Sequence, residues 1–368
     1  MAPRIFVSTD EEQGRRSGHA ATQKESLRMD EAEFLRQLAE ANDFHAGPSE
    51  PAEPSPGSRL FTSPEQLRDA LAAANLSPDS VAVITSLAQP AFQLVTEEIP
   101  ADWHSPNGAS RLGGTPDLPP GSAWPWRPGY VGVRQVLDEP DDQPAPLSFL
   151  AQLDFADLAA AGTLPDVPLP KSGRLQLYYD LQRMPWGFDP AERIGVHVAY
   201  DDSPVSALSR TQPPSELFAL GDEAILHEQM LRPQVIVSTP SPYAHAVRSR
   251  LAEPDIEALD EWYGEFWDLP EWNSHQVGGW PHQVQGEMPL DVALLAAGHY
   301  TGNIDVYRDE AAMAAAEADA PNWVLLWQLA SEDPWFMWGD EGFLYLWIRR
   351  DDLAARRFDD TVLILQCY

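Results

Sequence analysis

Two distant parts of the sequence repeat the same short motifs in the same order. A Gly-Gly pair shortly before a proline begins at position 113 and again at 278. A Leu-X-Gln-Leu motif at 150–153 returns at 326–329. A glycine followed by an alternating apolar segment begins at 173 and again at 342. Because the three landmarks recur in one order and at nearly one offset, they predict an internally duplicated, interlocked fold.

Composition divides the chain into a tail and a folded part. The 368 residues are 43% hydrophobic and 22% charged, which is close to the globular norm. Residues 1–60 differ, because the run of Pro, Ser, Gly and Glu at 47–57 can bury little surface. We therefore predict a largely disordered N-terminal tail and linker over 1–60, with one short helix over 29–40. One duplicated domain is predicted over 61–368, with its repeats at about 89–240 and 251–368.

Capping signals and apolar periodicity predict short elements of both kinds. Ser63 followed by Pro64 suits the start of a helix, and the alternation at 174–180 is typical of a strand. The predicted fold class is α+β, an internally duplicated mixed β-sheet architecture with short helices. Helices are predicted after Ser63 and at 155–161, 255–268, 291–297, 310–318 and 351–355; strands are predicted at 81–86, 91–95, 147–153, 174–180, 194–200, 234–238, 323–329, 342–348 and 362–366.

Charge limits the classes of partner. A formal net charge of −33 repels nucleic-acid phosphates and anionic membranes and favours a basic protein partner, while a purely solubilising role for the acids is the alternative. Cys367 is the single cysteine, which excludes an intramolecular disulfide and a multi-cysteine zinc site. No apolar run reaches the roughly 18 residues that a membrane span needs, and no signal-peptide pattern occurs. We expect a cytoplasmic protein that binds neither nucleic acid nor membrane; the oligomeric state stays open.

The motifs of common catalytic sites do not occur in the sequence. It contains no G-x-S-x-G, H-E-x-x-H, Walker A or G-x-G-x-x-G motif. His275 and His282, with Glu287 beyond them, lack a spacing that predicts a metal site, and hydrogen bonds within the second Gly-Gly segment are the preferred interpretation. We therefore predict no catalytic residue, no metal and no cofactor.

An acidic stretch rich in tryptophan is the first candidate binding surface. Residues 251–272 contain no Lys or Arg. A run of this kind is commonly a solvated helix face, but the neighbouring tryptophans make it a docking surface for a basic partner. The predicted docking residues are Glu257, Asp260, Glu261, Trp262, Glu265 and Trp267.

Polar groups at predicted strand ends supply a second candidate. A cleft between the two repeats would bind a small ligand or catalyse a reaction if these groups met there. Capping of turns at the sheet ends is the simpler role for the carboxylates. The predicted cleft residues are Gln152, Asp154 and Asp180 from the first repeat and Gln276, Gln328 and Asp340 from the second.

Four longer segments carry a family likeness. They are Gly-Gly-Thr-Pro-Asp-Leu-Pro-Pro-Gly-Ser-Ala-Trp-Pro at 113–125, His-Gln-Val-Gly-Gly-Trp-Pro at 275–281, Met-Trp-Gly-Asp-Glu-Gly-Phe-Leu-Tyr at 337–345 and the closing segment 358–368. Over about residues 89–368 the chain resembles the YwqG-like family of bacterial proteins of unknown function. The resemblance implies a duplicated mixed α+β fold, no established activity and no catalytic residues.

The resemblance also bears on function. Some YwqG-like proteins are thought to accompany polymorphic toxin systems as immunity proteins, and an acidic chain suits a basic toxin. We expect a non-enzymatic, immunity-type module that binds a basic protein. The alternatives are a small-ligand binder or enzyme with the cleft described above, and a scaffold in which the Gly, Pro and Trp residues are wholly structural.

Overall fold

The computed structural model describes residues 60–100, 103–131, 133, 142–221, 224–265 and 274–368. Residues 58–368 form one compact unit. The predicted tail with its helix over 29–40 lies outside the described residues, apart from residue 60, and so does Trp267. None of the described helices is both long and apolar enough to cross a lipid bilayer.

A ten-stranded sheet dominates the fold, and every pair of neighbouring strands in it is antiparallel. Its spatial order is β14-β13-β12-β11-β1-β10-β2-β6-β7-β8. Two short pairs, β3 with β9 and β4 with β5, lie beside it. The strands are β1 Gln89–Glu98, β2 Arg111–Leu112, β3 Asp117–Leu118, β4 Trp126–Arg127, β5 Ala145–Pro146, β6 Ser148–Asp154, β7 Arg174–Tyr179, β8 Val196–Asp201, β9 Ser209–Arg210, β10 Gln229–Ser238, β11 His275–Val277, β12 Trp323–Ala330, β13 Phe343–Arg349 and β14 Val362–Gln366.

The sheet has two equivalent halves: read outward from its centre, each side presents corresponding strands in the same order. This symmetry reflects the duplication seen in the sequence. From the central pair β1–β10, the strands β11, β12, β13 and β14 on one side correspond to β2, β6, β7 and β8 on the other. Both β6 and β12 carry a bulge at the same place, between Phe149 and Ala151 and between Leu325 and Trp327. The first strand of the chain, β1, is grouped with the later half, so the two halves exchange a strand and are interlocked.

Nine short helices accompany the sheet in the described part of the chain. They are α1 Pro64–Ala73, α2 Pro78–Leu87, α3 Phe155–Ala161, α4 Ser215–Phe218, α5 His245–Arg248, α6 Glu253–Gly264, α7 Pro289–Ala296, α8 Glu310–Asp319 and α9 Arg350–Ala354. The strand predicted at 81–86 is wrong, because these residues belong to α2. Ser77 caps α2 by accepting the N–H of Ser80, and Pro78 occupies the first turn. These helix-start signals outweigh the strand propensity of the β-branched residues that follow.

The sheet curls until its two ends come close together. The ring of Tyr179 on β7 packs edge-on against Trp338, which lies just before β13, with ring centroids 6.1 Å apart. The Leu365 N–H of β14 donates to the Trp186 carbonyl at 3.0 Å. The inner face thereby encloses one apolar core built from both halves. Helices α7 and α8 cover the outer face of the second half, and α1, α2 and α6 form a further apolar cluster.

Candidate functional site

Each Gly-Gly segment forms a tight loop against the outer face of the sheet. The first Gly-Gly loop is residues 113–117 and the second is residues 278–282. Gly113 has φ +63°, and a Cβ placed on it would lie 1.9 Å from the carbonyl oxygen of His227. Gly278 has φ +71°. Only glycine fits the first position, since the left-handed backbone and the close contact both exclude a side chain.

A buried glutamine holds each Gly-Gly loop by the same pair of hydrogen bonds. The Asp117 N–H donates to Oε1 of Gln152 at 3.2 Å, and Gln152 Nε2 donates to the Ala109 carbonyl at 3.0 Å. In the second half, the His282 N–H donates to Oε1 of Gln328 at 2.9 Å, and Gln328 Nε2 donates to the Ser274 carbonyl at 2.9 Å. The repeated Leu-X-Gln-Leu motif therefore encodes a structural brace for the loop.

In the first half this brace is joined to a buried ionic network. Arg111 Nη1 donates to Asp117 Oδ2 at 2.7 Å, and both side chains are fully buried. Arg210 donates to Asp117 Oδ1 at 2.9 Å and to Glu228 Oε1 at 3.0 Å. Ser105 also donates to Glu228 Oε1, at 2.5 Å. The two arginines of the network neutralise its two carboxylates, and Ser105 ties the segment before β2 to it. Within this network the charged groups are therefore directed at one another and not at a ligand.

The pKa shifts of the network agree with this structural role. Burial lowers the pKa of Arg111, although Asp117 opposes the shift. Burial acts to raise the pKa of Asp117, but the hydrogen bond and charge of Arg111, followed by the Gly108 N–H and Arg210, bring it below its usual value. Burial likewise acts to raise the pKa of Glu228, and Ser105 and Arg210 outweigh it. Both carboxyls are held in the ionised form.

Over the residues that the structure describes, no hydrogen bond joins the predicted cleft residues of the first repeat to those of the second, although Gln276 and Gln328, both of the second repeat, are opposite each other on β11 and β12. Gln152 and Gln328 lie on the outer face of the sheet, because their neighbours Leu153 and Leu329 belong to the enclosed core and side chains alternate along a strand. Each glutamine is covered by its own Gly-Gly loop. Gln276 donates to the carbonyls of Gly278 at 2.8 Å and Trp280 at 2.7 Å, within the second loop.

The three predicted carboxylates of the cleft lie in separate turns. Asp154 caps α3 by accepting the Ala156 N–H at 2.9 Å. Asp180 pairs with Arg127 at 2.5 Å in a buried ion pair and accepts the Gln182 N–H at 3.0 Å. Asp340 is exposed in the turn before β13. Turn capping, the simpler role, thus accounts for Asp154 and Asp180.

The two histidines of the second Gly-Gly segment have different surroundings. Nδ1 of His275 accepts the Ala330 N–H at 3.0 Å, and its Nε2 lies 2.8 Å from Glu332 Oε1. His282 is buried and stacks on Phe343 with ring centroids 5.1 Å apart. Among the described residues no group of three or more His, Cys, Asp or Glu side chains could hold a metal ion.

The acidic helix α6 presents its carboxylates to solvent. Glu257, Asp260, Glu261 and Glu265 are exposed, and Asp260 Oδ2 accepts the Tyr243 hydroxyl at 2.7 Å. Trp262 lies differently from the prediction, because only 6% of it is exposed. It stacks on Phe61 with ring centroids 5.9 Å apart and planes 14° from parallel. The helix therefore combines an open acidic face with an anchored aromatic residue.

A groove of about 410 Å³ lies between α1 and α6. We call it the α1–α6 groove. Its floor contains the stacked Phe61–Trp262 pair, its walls carry small side chains, and two carboxylates stand at one side. The lining residues are Phe61, Ala70, Ala73, Ala74, Asn75, Ala258, Glu261, Trp262 and Glu265. Sequence reasoning found the two glutamates and Trp262 but missed the alanines; their small size at helical spacing on α1 was the available signal.

A second cavity, of about 360 Å³, lies between the two halves where the sheet ends approach each other. We call it the seam cavity. It is formed by residues 185–198 of the first half and by residues 295–298 and 349–363 of the second. None of the six predicted cleft residues lines it. A cleft between the halves therefore exists, but at a place that the repeated motifs did not indicate.

The chain belongs to a family defined by a domain of unknown function, DUF1963, whose model matches residues 110–367. The match covers both Gly-Gly loops and every strand of the large sheet except β1. A comparison with curated proteins found no match. The family description assigns no reaction.

Proposed function

We propose that this chain is a non-enzymatic protein-binding module that holds a basic partner on the α1–α6 groove and the acidic face of α6. The single observation that carries the proposal is the pairing of an aromatic floor with a carboxylate margin. An Arg or Lys side chain lying over Trp262 would gain both a cation–π contact and an ion pair. The exposed acids Glu257 and Asp260 extend the attraction beyond the groove.

Net charge supports the same partner. A chain of net charge −33 attracts a basic protein and accelerates the encounter, while the apolar floor supplies the short-range part of the affinity. The groove volume of about 410 Å³ fits one or two anchoring side chains. We extend the proposal to an immunity-type role in a bacterial cytoplasm, on the basis of the YwqG-like resemblance and the charge.

The test begins with affinity purification from the native host at low and at high salt, followed by a titration of the purified partner. The proposal expects a basic partner whose dissociation constant rises at least tenfold between about 50 and 300 mM salt, because counter-ions screen exposed charges. The triple variant Glu257→Gln, Glu261→Gln, Glu265→Gln should weaken binding at least tenfold. Its matched control is Glu310→Gln, Glu317→Gln, Glu341→Gln, which removes equal charge from exposed sites elsewhere.

The control separates a specific surface from a general charge effect. Equal losses of affinity in the two triple variants would mean that only net charge attracts the partner. Binding that is unchanged in the α6 variant would remove α6 from the interface altogether. A Trp262→Leu variant tests the aromatic floor, with Phe336→Leu, a partly buried aromatic residue of the main core, as its control.

A further inference from the structure

The two terminal strands of the large sheet face each other across the seam cavity without pairing. β8 and β14 stand at the opposite ends of the strand order. The cavity is lined by Val196, His197 and Val198 of β8 and by Val362 and Leu363 of β14. The seam cavity is therefore bordered by two strand edges, whose outward N–H and C=O groups are a template for a further strand.

The register of β8 identifies which of its backbone groups face the cavity. The Asp180 N–H donates to the Gly195 carbonyl at 2.9 Å, and Asp180 directly follows β7. Because antiparallel bonding alternates by residue, His197 bonds to β7 and Val198 points its N–H and C=O away from it. Within the described part of the chain, no other segment pairs with Val198. Only 8% of Val198 is exposed, whereas the other residues of β8 are half-buried or exposed. The Val196 N–H already donates to the Arg193 carbonyl, so Val198 is the buried position with outward backbone groups on this edge.

The same argument orients β14. The Leu365 N–H donates outward to the Trp186 carbonyl, at 3.0 Å, so Leu363, two residues earlier, has the same outward orientation. The chain around Gly187 crosses close to the Leu363 carbonyl, and a Cβ on Gly187 would lie 2.0 Å from that oxygen. Part of the β14 edge is thereby covered already, and the Leu363 N–H is the group left at the cavity.

We propose that the seam cavity receives a short, extended, basic segment of a partner protein, which adds as a strand at the β8 edge and reaches towards Leu363. An extended peptide is the ligand class that offers alternating N–H and C=O groups on both of its sides. The stacked rings of Tyr200 and Phe358, with centroids 5.1 Å apart, close one end of the seam and limit the segment to a few residues.

Charge around the seam cavity selects the side chains of the segment. Asp359 and Asp360 are exposed at its margin, and Asp189 lines it from the other half. Of its two arginines, Arg349 is held by Asp319 through a hydrogen bond of 2.8 Å, and Arg193 lies 3.9 Å from Asp360 in an exposed ion pair. Glu192 adds a further carboxylate to the lining. Carboxylates therefore prevail at the margin, and Lys or Arg side chains on the segment complement them. The inference does not depend on the α1–α6 groove, because the two share no lining residue.

The experiment uses the full ¹⁵N-labelled chain and the peptide acetyl-Lys-Val-Lys-Val-Lys-amide, followed by NMR shifts and amide hydrogen exchange. The expected result is saturable binding with exchange at the Val198 and Leu363 amides slowed at least tenfold. Two control peptides are the same sequence with N-methylated valines, which cannot pair, and the same sequence with Glu in place of Lys. Both controls should bind at least tenfold more weakly.

A pair of variants tests the backbone contact directly. Val198→Pro removes the outward N–H while sparing the bonds to β7, because an edge strand tolerates proline where its N–H points outward. Val198→Ile keeps that N–H and is the matched control. The peptide should bind Val198→Pro at least tenfold more weakly than Val198→Ile.

Several results would overturn the proposal. They are no saturable binding of the lysine peptide up to 1 mM (about −4 kcal/mol), equal binding of the N-methylated peptide, and protection confined to α6 in place of β8 and β14. If Val198→Pro fails to fold, the exchange measurement on the unaltered chain decides. Slowed exchange at Val198 then supports the strand addition, and unchanged exchange in the presence of bound peptide refutes it.

Discussion

Gln176 and Tyr345 donate a side-chain hydrogen bond to the same backbone position in the two halves. Gln176 Nε2 donates to the Asp117 carbonyl at 2.8 Å, and the Tyr345 hydroxyl donates to the His282 carbonyl. An amide in one half and a phenol in the other thus hold the ends of equivalent Gly-Gly loops. The geometry of the loop has been kept while the chemistry of its support has diverged.

Both glutamine braces should contribute to stability. We expect Gln152→Leu and Gln328→Leu each to lower the free energy of unfolding by about 1–3 kcal/mol, because each leaves a buried loop N–H, of Asp117 or His282, without its acceptor. Urea denaturation followed by tryptophan fluorescence measures this. Gln182→Leu, in the turn after β7, is the control. A loss in both brace variants below about 0.5 kcal/mol, the least that one hydrogen bond contributes, would show that other contacts hold the loops.

The buried Arg111–Asp117 pair should show strong coupling. Removing one partner, as in Arg111→Met, leaves the buried Asp117 with Arg210 as its remaining ion-pair partner and should cost at most about 3–5 kcal/mol. The double variant Arg111→Met, Asp117→Leu should cost less than the two single changes added together. Arg232→Met, which breaks the exposed pair with Glu97, is the control and should cost below about 1 kcal/mol. Additive losses in the double variant would contradict the coupling.

Much of the fold follows from local sequence signals. The alternation at 174–180 and the apolar runs after positions 323, 342 and 362 correctly identified β7 and β12–β14. Asp291–Ala297 and Glu310–Ala318 were likewise placed on the helices α7 and α8, with ends shifted by one or two residues. Where two local signals conflicted, at 81–86, the cap at Ser77 decided the outcome and the strand prediction failed.

The candidate sites were less predictable than the fold, because they depend on contacts between residues far apart in sequence. The exposed acids of α6 could be identified from their own helix, but Trp262 is buried by Phe61, which lies before the first helix of the domain. The seam cavity requires the sheet to curl, and no local pattern encodes the approach of β8 to β14. Similarly, the repeated Gln152 and Gln328 suggested a shared cleft. Duplication instead places each of them at the equivalent position in its own half, under its own Gly-Gly loop.

Acid should destabilise the protein partly through His282. Burial lowers the pKa of His282 from 6.5 to about 3, so the unfolded chain binds a proton in this window that the folded chain does not. This contribution to stability is present above pH 6.5 and is lost as the pH falls towards 3. The His282→Phe variant can keep the stacking on Phe343. As the pH falls from 7.5 to 5.5, its free energy of unfolding should rise by about 1 kcal/mol relative to that of the unaltered chain. Denaturant titrations at both pH values measure the difference.

The comparison for His282 has an internal control. Between pH 7.5 and 8.5 the imidazole is neutral in both the folded and the unfolded chain, so the difference between variant and unaltered protein should stay constant there. A difference that also stays constant from pH 7.5 down to 5.5 would mean that His282 takes up its proton equally well in the folded protein.

Asp291 has the opposite pH dependence. Burial raises the pKa of Asp291 from 3.8 to about 6, although the Tyr307 hydroxyl, which donates to it at 2.8 Å, opposes the shift. The folded chain thus holds the proton more tightly, and this contribution to stability is lost as the pH rises from about 4 to 6. Asp291→Asn keeps the acceptor for Tyr307 and should raise stability by about 3 kcal/mol at pH 7.5, with no gain at pH 3.5.

Thermal unfolding of the Asp291→Asn variant at the two pH values tests this. Asp351→Asn, an exposed acid in the first turn of α9, controls for the general removal of negative charge. Equal gains in the two variants would assign the effect to net charge and not to burial.

The exchange of β1 between the halves has a consequence for biosynthesis. β1 is translated before every other strand, yet its two neighbours are β10, which ends at residue 238, and β11, which ends at residue 277. A ribosome must therefore deliver the chain as far as β11 before both edges of β1 are covered. Until then its buried positions Ala91–Leu94 are open to wrong pairing. We expect neither half to fold as an independent fragment, since the second would lack β1 and the first would carry β1 without β11.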